Sequence, residues 1–130
     1  MTNKQIKEGN RLITQFMDWE LIQTKDELKA WVFKHKETGN AILLDDRNPY
    51  DKKFWNKDSV LEFDKSWNDL MTVVVKIEEM DYGIKMCRKV VEVYVDSTKE
   101  VILKTKELSR FESLFKAVVE FINWYNANKK

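Results

Sequence analysis

The sequence predicts an α+β fold: an antiparallel sheet from two hairpins packed with three helices, a layered α/β sandwich in the order α-β-β-α-β-β-α. Three observations predict it. Three segments carry apolar residues at helical spacing. Two pairs of short β-branched or aromatic stretches flank turn residues, with period-two alternation. The chain of 130 residues, 43% hydrophobic, is also long enough to build one core over 1–130 without a disulfide or a metal.

The first helix is predicted from Lys4 to Trp19, with Thr2 and Gln5 at the spacing of a capping box. Ile6, Leu12, Ile13, Phe16 and Met17 form its apolar stripe, which Gly9 interrupts at a cost of about 1 kcal/mol relative to alanine. The second runs from Trp67 to Met80. Ser66 caps it, Asp69 suits its positive end, and Trp67, Leu70, Met71, Val74 and Ile77 face inward. The third runs from Arg110 to Ala127 behind a Ser109–Glu112 capping box. Phe111, Leu114, Phe115, Val118, Ile122 and Tyr125 form its stripe, which Val119 and Phe121 widen.

One hairpin is predicted from Val90–Val95 and Val101–Lys104, with turn chemistry at Asp96-Ser97-Thr98-Lys99 and Ile84 as the earliest start of strand structure. Val91, Val93 and Val95 point one way, and Glu92 points the other way beside Val90 and Tyr94. An earlier hairpin pairs Ala30–His35 with Ala41–Leu44 across a turn that holds Gly39. Asp45–Asp64 is polar, contains Pro49 and reads as a long loop with room for a short strand at Val60–Phe63. Loops this long in compact domains are often functional.

Ser66-Trp67-Asn68-Asp69-Leu70-Met71, with Val73-Val74 and Lys76-Ile77-Glu78, is similar to the central motif of the phage ABA sandwich domain family. Ala117-Val118-Val119-Glu120-Phe121-Ile122 and Trp124-Tyr125-Asn126 resemble its last helix, and Ile13 with Phe16-Met17 its first. Lys25–Lys57 lies outside the resemblance, and Asp18 stands where the family often has glycine after the Phe-Met pair. The resemblance implies a layered helix-and-sheet fold and an uncharacterised phage or prophage protein. It transfers no catalytic residue.

Charge narrows the function classes. Lys and Arg number 23 against 22 Asp and Glu, so no global basic excess marks a dedicated nucleic-acid binder. The single cysteine, Cys87, forms no internal disulfide and suits a reducing, cytoplasmic setting. Met1–Glu8 has no apolar run of the secretory type, no segment approaches the ~20 apolar residues of a membrane span, and no membrane association is expected.

No catalytic, cofactor-binding or metal-binding constellation is legible. One His and one Cys, far apart in sequence, do not make a zinc site. Asp45, Asp46, Asn48 and Asp51 lack the central glycine and closing glutamate of a calcium loop and read as a solvated acidic stretch. His35 has no motif around it, and Cys87 reads as a small buried or half-buried side chain. Glycines at 9, 39 and 83 are too scattered for a phosphate cradle.

The remaining reading is a non-enzymatic accessory module that binds protein, either a host factor or its own copy. Its candidate contact residues are Tyr50, Phe54 and Trp55, aromatics set among charges in the long loop. The first alternative is a nucleic-acid-associated module using the Trp31–Lys36 strand, where aromatic and basic residues interleave. The same alternation suits any half-buried strand. The second alternative is an enzyme with a dispersed carboxylate site, which sequence spacing does not reveal.

Overall fold

The structure is a computed structural model and describes residues 2–23, 31–38, 41–42 and 61–128. They fall into two compact units, Met1–Ile13 with Glu62–Lys130 and Thr14–Leu61. The order along the chain is α1 (Asn3–Phe16), β1 (Trp19–Gln23), β2 (Trp31–His35), β3 (Ala41–Ile42), a short 3-10 helix (Phe63–Lys65), α2 (Trp67–Glu78), β4 (Tyr82–Cys87), β5 (Val90–Val95), β6 (Val101–Lys106) and α3 (Arg110–Asn128). The α+β class, the three helices and both hairpins are as the sequence predicts. Each hairpin gains one strand on its N-terminal side, so two three-stranded antiparallel sheets form, β1-β2-β3 and β4-β5-β6.

The first added strand exists because α1 stops sooner than its apolar stripe suggests. The predicted helix runs through Trp19, but Asp18 takes φ 64°, a left-handed conformation that ends a helix. Its amide donates to the Gln15 carbonyl, and its own carbonyl accepts the Lys36 amide, which starts the pairing of β1 with β2. Aspartate tolerates this conformation better than most residues, so Asp18 serves where glycine usually stands.

In the larger unit, α2 and α3 pack on one face of β4-β5-β6: α3 against β5 and β6, α2 against β4. Val91 and Val93 point into this contact and are fully buried, as their alternation with Glu92 predicts. Leu70, Val73, Val74 and Ile77 of α2, with Leu114, Ala117, Val118, Phe121 and Ile122 of α3, complete the core. Thr2 and Gln5 exchange the predicted capping-box bonds of 2.8 and 3.1 Å, and Ser66 accepts from the Asp69 amide as predicted; of the predicted Ser109–Glu112 box one half forms, Ser109 accepting from the Glu112 amide.

Gly9 is explained by packing. A methyl group there would lie 2.8 Å from Val119 Cγ2 and 3.1 Å from Phe115 Cζ, so the glycine lets α1 approach α3 closely. Next to it, buried Asn10 reaches the 3-10 helix. Its Oδ1 accepts the Phe63 amide at 2.9 Å and its Nδ2 donates to Asp64 Oδ1 at 2.7 Å. The short strand predicted at Val60–Phe63 is therefore corrected in its described part: Phe63 opens a 3-10 turn because a side chain, not a neighbouring strand, takes its amide. Residues 43–60, most of the predicted loop, lie outside the described residues.

In the smaller unit, Trp19 pairs with His35 across β1 and β2. Their rings meet edge to face at 5.0 Å, and His35 Nδ1 accepts the amides of Glu37 and Thr38 at 3.3 Å each. The imidazole thus serves as a turn cap, with its acceptor nitrogen engaged by the backbone.

Candidate functional site: the open face of the β4-β5-β6 sheet

Because Val91 and Val93 face the helices, the alternate residues of all three strands face the other way. Two rows follow from the register: Cys87–Val90–Lys106 and Lys85–Glu92–Lys104. Together with the Arg88-Lys89 turn they line a half-open depression of about 840 Å³. Its rim carries Lys85, Arg88, Lys89, Lys104 and Lys106, and Glu92 is the carboxylate among its lining residues. Glu92 is already paired, with Lys104 Nζ 3.7 Å from its Oε1.

The turn is held in place from below. Fully buried Ser113 of α3 donates its hydroxyl to the Lys89 carbonyl and accepts the Glu107 amide at 2.7 Å, and its own carbonyl accepts from Thr105 Oγ1 at 2.7 Å. Arg110 Nε donates to the Arg88 carbonyl at 2.9 Å. Arg88 itself takes φ 57°, a left-handed conformation at the first central position of a two-residue hairpin turn. A side chain in this region costs roughly 1–2 kcal/mol relative to right-handed backbone.

Beyond the depression, the third row of this face is Gly83–Tyr94–Val101. The Tyr94 ring lies across Gly83, and the Lys99 ammonium sits 5.5 Å from the ring centroid. At the far side, Glu107 and Lys116 form an ion pair at 2.9 Å. The hydrogen bond from Lys116 holds the Glu107 carboxyl below its ordinary pKa, and the same bond raises that of Lys116.

The sequence-predicted site residues fare unevenly. Tyr50, Phe54 and Trp55 lie outside the described residues. On the Trp31–Lys36 strand, Phe33 is 1% exposed and Val32 is buried, so Phe33 is spent on packing and is not available to stack on a base. Cys87, predicted buried or half-buried, is exposed: it falls on the outward register of β4, opposite Val90. His35 and Cys87 lie in different units. Among the described residues no group of three or more His, Cys, Asp and Glu side chains could hold a metal ion, and no helix is long and apolar enough to cross a membrane.

The cationic face itself was not singled out from sequence, although a signal existed. Once Val91, Val93 and Val95 are assigned inward, Glu92 is outward by period two, and Lys104 and Lys106 by pairing. The Arg88-Lys89 turn gave no such signal, because it lacks the Gly or Asn that usually marks a tight hairpin. No family model, no curated protein and no solved structure shows a significant match to the chain.

Proposed function

We propose that the protein is a non-enzymatic accessory module that binds an acidic partner protein on the open face of β4-β5-β6. The observation that carries this reading is the set of five cations around one depression, held on rigid strands and a pinned turn. A fixed cationic patch on a chain of nearly balanced charge favours a partner with a complementary acidic patch. The phage or prophage setting implied by the helix motifs, and the cytoplasmic setting implied by the single cysteine, belong to the same proposal.

One feature favours protein over nucleic acid as the partner. Tyr94, the aromatic on this face, already has Gly83 beneath it and Lys99 over its ring, so it offers little open surface for base stacking. The enzyme reading gains nothing from the depression, whose described lining residues include one carboxylate, Glu92.

The test uses poly-L-glutamate as the acidic polypeptide probe and a single-stranded oligothymidylate as the phosphate probe. Binding is measured by fluorescence anisotropy over a salt series. Poly-L-glutamate should bind the wild type, and the Lys85→Glu/Lys104→Glu/Lys106→Glu variant should lose that binding while keeping its circular dichroism. Tighter, steeply salt-dependent binding of the oligothymidylate would transfer the face to the nucleic-acid reading. Equal binding by wild type and variant would remove the face from consideration.

A further inference from the structure

Next to the cationic face stand apolar side chains that the core does not use. Leu108 is 82% exposed and Trp67 is 43% exposed. Trp67 opens α2, and its ring meets the half-buried ring of Phe111, in the first turn of α3, edge to face at 4.8 Å. Leu108 stands three residues before Phe111 and two before Arg110, whose Nε is bonded to the Arg88 carbonyl of the cationic turn. The first turns of α2 and α3 and the Arg88-Lys89 turn therefore bring aromatic, aliphatic and cationic groups to one end of this unit.

Leu108 is exposed although its backbone is fixed. On one side the Glu107 amide is held by buried Ser113, and on the other Ser109 caps α3. A leucine on a loose loop can fold back onto apolar surface, but one clamped on both sides is held in water. Aromatic residues, arginine and a fixed apolar anchor near a charged rim make up the usual chemistry of a protein-binding hot spot. Nucleic acid has little to gain from an exposed leucine.

We infer that Leu108, Trp67 and Phe111 form an apolar anchor site beside the cationic face, and that the partner is an acidic polypeptide segment with a large apolar side chain that seats there. The inference rests on the proposed function, because it takes the cations Arg88, Lys89 and Arg110 as the groups that receive the segment's carboxylates. It adds that charge alone does not select the partner.

The test compares two probes of equal length and charge: an oligoglutamate with serine at every third position, and the same peptide with phenylalanine at those positions. The second probe should bind the wild type about tenfold tighter, the gain expected from burying one large apolar side chain. Leu108→Ala, a truncation at an exposed position, should abolish most of that difference and leave oligoglutamate binding unchanged. Trp67→Ala should do the same, with circular dichroism confirming the fold. Equal affinity for the two peptides, or no effect of Leu108→Ala, overturns the anchor and leaves the cationic-face reading standing. Loss of discrimination only in the lysine-to-glutamate variant also overturns the anchor. Failure of both peptides to bind overturns the function on which it rests.

Discussion

The ring of Tyr94 lies across Gly83 in the space where a side chain at residue 83 would project. The two residues are opposite each other on β4 and β5, and the glycine φ lies outside the left-handed region that a side chain would find strained. Gly83→Ala therefore sets two effects against each other. Alanine orders the unfolded chain less expensively, by about 0.4–1 kcal/mol, but the Tyr94 ring must swing away. The single variant should be close to neutral in urea unfolding, with altered tyrosine fluorescence. In a Tyr94→Ala background the same change should stabilise by up to ~1 kcal/mol. Additive effects of the two substitutions would show that the ring does not rest on the glycine.

Asn10 makes a sharper prediction, because it satisfies two groups at once. Asn10→Ala leaves the Phe63 amide without its acceptor and Asp64 without its donor. Orphaning a buried amide costs about 1–3 kcal/mol. Asn10→Asp keeps the acceptor for Phe63 but sets a carboxylate against Asp64. Like charges raise the pKa of the folded pair, so this variant should be less stable at neutral pH and recover as the pH falls through the carboxylate range. Wild-type-like stability of Asn10→Ala at neutral pH would remove the asparagine from its bridging role.

Arg88 joins stability to binding. Glycine at this position releases the left-handed strain, and Arg88→Gly should raise stability by about 0.5–1 kcal/mol after the entropy of the more flexible unfolded glycine is offset. It also removes one cation from the rim of the depression. Urea unfolding together with poly-L-glutamate binding should show higher stability with weaker binding. A variant that gains both would mean that the arginine is not retained for its charge.

His35 tests the smaller unit. His35→Phe keeps a ring against Trp19 but loses the acceptor for the Glu37 and Thr38 amides, whereas His35→Ala loses both. Each ordinary hydrogen bond contributes about 0.5–1.5 kcal/mol, so amide exchange at Glu37 and Thr38 should accelerate in both variants. Trp19 fluorescence should shift mainly in His35→Ala.

These relationships explain which parts of the structure were legible from sequence. Caps and stripes are local: Ser66 reads Asp69 three residues on, and Leu70, Val74 and Ile77 follow the helical period wherever the helix packs. The strand faces of β5 were legible for the same reason, since period two alone sends Val91 and Val93 inward. The missed features depend on partners distant in sequence. Nothing in Trp19–Gln23 announces a strand until Asp18 turns left-handed and Lys36 arrives to pair with it. The glycine at position 9 looks like a helix defect until Phe115 and Val119 are set beside it. The cationic face needs three strands in register and a turn whose residues carry no turn signature, so its five cations, spread over Lys85–Lys106, read along the chain as ordinary surface charge.

The pair Glu107–Lys116 sets a pH dependence with two opposite limbs. Glu107 has a depressed folded pKa because Lys116 hydrogen-bonds to it, so its contribution is present above the pH where a free glutamate titrates. That contribution fades as the pH falls through the lower folded value. Lys116 has a raised folded pKa for the same reason, so its contribution is full below the pH where a free lysine titrates and is lost as the pH rises through the folded value. Glu107→Gln should flatten both limbs together, since each partner's shift comes chiefly from the other, with Glu120 adding to that of Lys116. High salt should flatten them less completely, because the half-buried pair is partly screened but keeps its hydrogen bond at 2.9 Å. Urea midpoints measured across the acid and alkaline ranges, for the wild type and Glu107→Gln, make the comparison. Identical pH profiles for the two proteins would mean that this pair does not contribute to folding.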